Sequence, residues 1–160
     1  MLTSLFSILV LTTVIIGVDG FGYNDCAAYN LLEAQVNCGP DGYLMNYGIV
    51  YCHRFFTPAY YNQFDAAGKA FVDCTGQCLV NKATAIVNQQ VSSNDIDCTE
   101  ISDKAIDSHS DCYLQCGFCN VCKKNKKAFF NVLQADAFAN PKLLNEAFQT
   151  VGKCGFKCLI

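Results

Sequence analysis

Three groups of side chains in this sequence have the types and spacing to do chemistry. Cys116-x-x-Cys119-x-x-Cys122 repeats a soft ligand every third residue, as in the opening of an iron–sulfur cluster motif or part of a zinc site. His109-Ser110-Asp111 sets an imidazole near a carboxylate, the pairing that general-base hydrolysis draws on. Lys123, Lys124, Lys126 and Lys127 gather positive charge that could meet heparan sulfate or an acidic partner, or simply form a solvated face.

The chain's other cysteines change the weight of the first group. The sequence holds 12 cysteines in 160 residues, none of them before Cys26. Residues Met1 to Gly20 carry an apolar run from Leu5 to Val18 and end Val18-x-Gly20, small residues that a signal peptidase accepts. They are expected to be a signal peptide, leaving residues 21–160 as one helical, disulfide-rich domain with no further stretch able to span a membrane. An even, high cysteine count behind such a leader points to an oxidising compartment and six disulfides. Metal binding and C-x-x-C redox chemistry are correspondingly disfavoured, and no cofactor, metal site or catalytic residue is expected. With 11 Lys and Arg against 14 Asp and Glu, the chain lacks the basic field that nucleic acid requires.

The elements that must position these groups read as helices throughout. Residues 21–51 are rich in Gly, Asn and Tyr and hold the turn Gly39-Pro40-Asp41-Gly42, so short helices or loops are expected there. Asp65 can cap a helix whose apolar stripe includes Phe71, Val72, Cys74 or Thr75, Cys78 and Leu79, continuing to Ile86. The polar stretch Asn88–Asp97 reads as a loop. A helix from about Cys98 places Ile101, Ala105, Ser108, Cys112 and Cys116 on one face and Ile106, His109 and Tyr113 on the next. Another begins around Val121 with Phe129, Val132 and Leu133. Asn140-Pro141 then supplies a cap and a first-turn proline for a helix turning Leu143, Leu144, Ala147, Phe148 and Val151 inward until Gly152. No segment alternates as a strand would, so the fold class is all-α. The cysteines face the cores of these helices. Cys74/Cys78, Cys112/Cys116 and Cys154/Cys158 each sit one turn apart, so neighbouring antiparallel helices could be laced twice along one seam. Phe55, Phe56, Tyr60 and Tyr61 surround a proline in an expected loop, where they either pack back on the core or, if exposed, anchor a partner.

Two family resemblances attach to these motifs. Phe64-Asp65-Ala66-Ala67-Gly68-Lys69-Ala70-Phe71-Val72 resembles the stanniocalcin segment Phe-Asp-x-x-Gly-Lys-Ala-Phe-Val, and Cys78, Cys98, Cys112-Tyr113, Cys119, Lys123-Lys124-Asn125 and Cys154 follow at the family's intervals. Cys52-x-x-Phe55 extends the likeness upstream, so it covers residues from about Cys52 to Cys154. The resemblance implies bridges Cys78–Cys112, Cys119–Cys154 and Cys38–Cys52, and leaves Cys26, Cys74, Cys98, Cys116, Cys122 and Cys158 to pair among themselves. Cys74, Cys116, Cys122 and Cys158 have no counterpart in the vertebrate pattern, which implies a rewired network. The family's N-glycosylation sequon is absent, since no Asn-x-Ser/Thr occurs. Stanniocalcins continue past the position of Cys154 to the cysteine that joins two subunits, whereas this sequence stops at Ile160; a homodimer is implied, not necessarily a covalent one. The resemblance further implies a secreted, hormone-like protein rather than an enzyme. Such a protein would act by binding an extracellular receptor or protease, in calcium and phosphate handling or in inhibiting a pappalysin-type metalloproteinase.

The alternative is a secreted phospholipase A2-like or lipid-binding helical module. His109-Ser110-Asp111-Cys112-Tyr113 is similar to that family's His-Asp-x-Cys-Tyr helix, and Tyr47-Gly48 with Tyr51-Cys52 to its calcium loop. The chemistry needs a carboxylate directly after the histidine to hold calcium beside the activated water, and Ser110 stands there. A glycine-rich loop is also needed, but His53-Arg54-Phe55-Phe56 follows Cys52. A lytic toxin is a third reading, distinguished by cell lysis without a dedicated partner.

Overall fold

A computed structural model describes residues 20–137 and 140–158 of the chain. The described residues form seven α-helices and no strand: α1 (Ala28–Val36), α2 (Ile49–Phe56), α3 (Pro58–Tyr61), α4 (Ala66–Ser93), α5 (Cys98–Gln115), α6 (Phe118–Ala137) and α7 (Pro141–Lys153). Short 3-10 turns at Tyr23–Ala27 and Gly155–Cys158 and a π turn at Leu44–Gly48 complete them. The all-α, disulfide-rich class is thus the observed one. The leader expected over residues 1–20 lies almost wholly outside the described residues.

The axis of the molecule is α4, 28 residues long and so roughly 42 Å from end to end. Its start is built by the Phe64–Val72 motif. Asp65 is the N-cap, and its side chain accepts the Gly68 N–H at 2.8 Å. The buried Asn125 of α6 closes the same corner: its Oδ1 accepts the Asp65 N–H at 2.9 Å, and its Nδ2 donates to Asp65 Oδ1 at 3.0 Å and to the Val121 carbonyl at 3.1 Å. Gly68 is required by this corner, because a Cβ there would lie 2.6 Å from Asn125 Oδ1. The bonds from Gly68 and Asn125 hold the Asp65 carboxyl below its ordinary range. Phe64, Phe71 and Val72, from the same motif, are buried in the core, while Lys69 lies 5.0 Å over the Tyr61 ring. The segment most diagnostic of the family resemblance is therefore a joint between two helices.

α4 also runs further than its polar sequence suggests. The loop expected at Asn88–Asp97 is confined to residues 94–97, because Val87 and Gln90 face the core and the intervening polar side chains point to solvent. Ser92 and Ser93 return their hydroxyls to the Asn88 and Gln90 carbonyls, and Asn94 ends the helix in the left-handed conformation. Gln90 then pins the turn, with its Oε1 accepting the Asp97 N–H at 2.6 Å and its Nε2 donating to Glu100 at 2.7 Å. Asp97 caps α5 through the N–H groups of Thr99 and Glu100.

α5 returns antiparallel along α4, α7 lies on α5, and α6 crosses the first half of α4. Two core clusters result. Around the second half of α4 and α1, Leu32, Val36, Leu44, Val80, Ala83, Val87, Ile101, Ala105 and Ile106 interdigitate with Tyr29 and Tyr43. Around its first half, Phe56, Phe64, Phe71, Val72, Val121, Ala128 and Val132 pack with the rings of Tyr113, Phe118 and Phe129.

Several expectations need adjusting. The helix expected from about Val121 begins at Phe118, three residues earlier, behind the left-handed Gly117. On α7 the cap at Asn140 holds, accepting the Lys142 and Leu143 N–H groups, but Phe148 is 69% exposed rather than inward, and Thr150 is the buried residue. Cys74 is exposed rather than core-facing.

Candidate functional site

The twelve cysteines form six bridges and none is free. Cys78–Cys112 and Cys119–Cys154 are paired as the family resemblance implies. Cys74–Cys116 sits one turn from Cys78–Cys112, so α4 and α5 are laced twice along their seam, with Cα atoms 5.7 Å apart at both bridges. Cys122–Cys158 fixes the last 3-10 turn to α6. The implied Cys38–Cys52 bridge is corrected: Cys38 joins Cys98, and Cys52 joins Cys26. The reason is topological. α1 packs along the second half of α4, so the residue just past its left-handed end at Asn37 arrives at the first turn of α5, where Cys98 waits with its Cα 5.5 Å away. Cys52, inside α2, faces the 3-10 turn that holds Cys26.

This lacing disposes of the metal motif. Cys116, Cys119 and Cys122 each leave for a different partner, and no cluster able to hold a metal ion occurs among the described residues.

His109 is also committed. Its Nδ1 lies 2.9 Å and 3.0 Å from the Ala105 and Ile106 carbonyls, which makes Nδ1 the protonated nitrogen, and its Nε2 lies 3.4 Å from the Tyr43 hydroxyl. Burial pulls its pKa below the ordinary imidazole value, against the two carbonyls, so the ring is neutral at pH 7. Ser110, where a calcium-binding carboxylate would stand, is buried and accepts a hydrogen bond from the Lys153 ammonium at 3.0 Å. Asp111 is on the outside of α5. The histidine is held by tyrosines and main-chain carbonyls rather than poised over a water and an ion.

The eight suggested contact residues divide. Phe55, Phe56, Tyr60 and Tyr61 lie on α2 and α3 rather than in a loop, and all four pack inward on the aromatic cluster. Phe55 meets Phe64, Phe56 stacks on Tyr61, and the Tyr61 hydroxyl donates to Asp73 at 2.8 Å. Lys123, Lys124, Lys126 and Lys127 are all exposed on α6, on either side of the buried Asn125. Phe130 continues that surface, 70% exposed, and Phe148 on α7 is its counterpart. Sequence reading placed Phe148 on the inward stripe of its helix and passed over Phe130, which follows Lys126 and Lys127 by one turn on the same face.

Between the two core clusters lies a cavity of about 570 Å³, walled mainly by aromatic and aliphatic side chains of α2, α4, α5, α6 and α7. Its deep wall includes Tyr43, Val72, Thr75 and His109, and its outer wall includes Lys126, Phe130 and Phe148. Thr75 Oγ1 is buried there without a hydrogen-bond partner.

No helix among the described residues is long and apolar enough to cross a membrane. No solved structure matches the chain. The model of the stanniocalcin family matches residues 13–159, and the chain belongs to that family.

Proposed function

We propose that this stanniocalcin-family chain is a secreted, hormone-like protein that acts by binding another extracellular protein, with inhibition of a pappalysin-type metalloproteinase or regulation of calcium and phosphate handling as its effect. The observation that carries the reading is the family match over residues 13–159, joined to six disulfides on a chain whose cysteines are all paired. Disulfides of this density belong to oxidising compartments. The family is hormone-like and not enzymatic, and the occupied ring nitrogens of His109 fit that character.

The contact face best supported is the outer surface of α6. Four ammonium groups and an exposed phenyl ring on one helix offer long-range attraction for an acidic partner and an apolar anchor once contact is made. The inward-packed Phe55, Phe56, Tyr60 and Tyr61 are better read as scaffold.

The test is to express the chain in a eukaryotic host, sequence the N-terminus of the secreted product, and measure its complex with a pappalysin-type metalloproteinase by surface plasmon resonance. A product starting near Phe21 that forms a complex weakened by Lys123→Glu with Lys124→Glu is the expected result. Retention inside the cell would contradict the proposed secretion. A secreted product with no complex would move the proposal to calcium and phosphate transport, assayed as ion uptake by epithelial cells.

A further inference from the structure

The cavity between the core clusters has the size and chemistry of a ligand site, and its rim shares Lys126 and Phe130 with the α6 contact face while leaving Lys123 and Lys124 outside it. Its volume of about 570 Å³ falls within the roughly 300–1,000 Å³ of small-molecule sites. The wall is apolar almost throughout, with Val72, Leu79, Phe118, Phe129 and Leu133 among its members. Apolar surface of this extent facing a void forgoes both dispersion contacts and release from water, so an apolar occupant is favoured.

The polar groups on the wall decide what kind of occupant. Apart from the Glu146 carboxyl, those inside are uncharged: the Thr75 hydroxyl, the imidazole of His109, and the phenols of Tyr43 and Tyr113. Burial pushes the Tyr113 phenol up to about 12 and keeps His109 uncharged. A charge carried to that depth would lose its hydration with nothing to replace it. At the outer wall the position is reversed. Lys126 is exposed and lines the cavity one helical turn before Phe130, and Phe148 flanks the same opening from α7. The other charged wall residue, Glu146 on α7, has one carboxylate oxygen buried without a hydrogen-bond partner; burial and then Asp107 of α5 raise its pKa against the pull of Lys153, which favours its neutral form beside an apolar occupant. A mainly apolar interior, with Lys126 as the one ammonium on its wall and Glu146 set away from it on α7, matches a molecule with a long hydrocarbon tail and an anionic head.

We infer that the cavity binds one long-chain fatty acid, its tail between the two core clusters and its carboxylate at the Lys126 ammonium. Phe130 and Phe148 would cover the first part of the chain as it leaves water, which gives their exposure a purpose.

The full secreted chain, delipidated on a hydrophobic resin, is titrated with cis-parinaric acid, and the bound probe is displaced by oleate. Saturable binding of one oleate per chain is expected. Lys126→Glu, which replaces attraction at the rim by repulsion, is expected to weaken oleate at least about tenfold while leaving methyl oleate unchanged. Ala147→Trp, which fills the opening from α7, is expected to abolish both. Thermal midpoints of the variants check that they are folded, and the exposed Lys126 variant keeps the test valid if the tryptophan variant is not. Absence of saturable binding, equal oleate affinity in Lys126→Glu, undiminished binding by folded Ala147→Trp, or displacement by cholesterol but not by oleate would each overturn the inference.

Discussion

The two halves of α4 bury similar lengths of helix in different ways. The second half, from Val80 to Gln90, meets α1 and α5 mainly through Leu, Val, Ile and Ala side chains beside Tyr29 and Tyr43, and in that cluster Leu44, Val87 and Ile101 are at most 1% exposed. The first half, from Gly68 to Thr75, meets α6 and α2 through rings set edge to face or tilted, with centroids 5.1–5.9 Å apart. Branched aliphatic chains are small enough to fill one another's gaps. Rings constrained to tilted contacts leave space at their edges, and the cavity opens between those rings and Tyr29 and Tyr43 of the neighbouring cluster. The closed half provides rigidity; the ring-lined half provides room.

That contrast can be broken most forcefully by truncation. Ile101→Ala opens a void in the closed half and should cost about 2–5 kcal/mol of unfolding free energy in urea titrations, whereas Leu79→Ala only widens an existing cavity and should cost under about 2 kcal/mol. Equal costs would show that the halves are packed alike. The bridges at the middle of α4 come next: Cys78→Ala with Cys112→Ala should remove about 2–4 kcal/mol, read in the same titration. Gly68→Ala forces a methyl against Asn125 and should cost about 1–3 kcal/mol. An unchanged midpoint would mean that the joint between α4 and α6 yields easily.

A smaller effect sharpens the comparison through pH. His109 spans both halves, touching Tyr43 on one side and Tyr113 on the other. Its folded pKa lies below the ordinary 6.5, so below pH 6.5 the unfolded chain binds the extra proton first. Stability from this group is therefore complete above pH 6.5 and is lost as pH falls toward the folded value. The urea midpoint of the natural chain should fall across that window, and His109→Gln should flatten the slope. Asp65, whose folded pKa is also depressed, adds a separate loss only near and below its ordinary 3.8. Smallest of all, Lys123→Glu on the exposed face of α6 should leave stability within about 0.5 kcal/mol.

Where local chemistry decided the outcome, the sequence was readable. Asp65 and Asn140 announce their helices because a cap needs only a side-chain oxygen and the next N–H groups. The doubled seam between α4 and α5 follows from cysteines one turn apart on neighbouring helices. The end of α4 was hidden because Asn, Gln and Ser are polar in loops and on solvated helix faces alike, and only the tertiary partner of Gln90 distinguishes them. Cys38 was misassigned because its partner is 60 residues away and is chosen by how α1 lies on α4. Phe148 has a helical spacing that fits burial, and nothing along the chain says that the space facing it stays open. The cavity draws its wall from residues between Tyr29 and Cys158, a pooling that no local pattern reveals.

The central claim is that a stanniocalcin-family helical scaffold keeps the Cys78–Cys112 and Cys119–Cys154 bridges that the resemblance implies and is laced anew elsewhere, at its N-terminal side, at Cys74–Cys116 and at Cys122–Cys158. Peptide mass spectrometry of the secreted, unreduced chain measures this directly. The account predicts Cys26–Cys52, Cys38–Cys98, Cys74–Cys116, Cys78–Cys112, Cys119–Cys154 and Cys122–Cys158. Recovery of Cys38–Cys52, or of free thiols at Cys78 and Cys112, would contradict it.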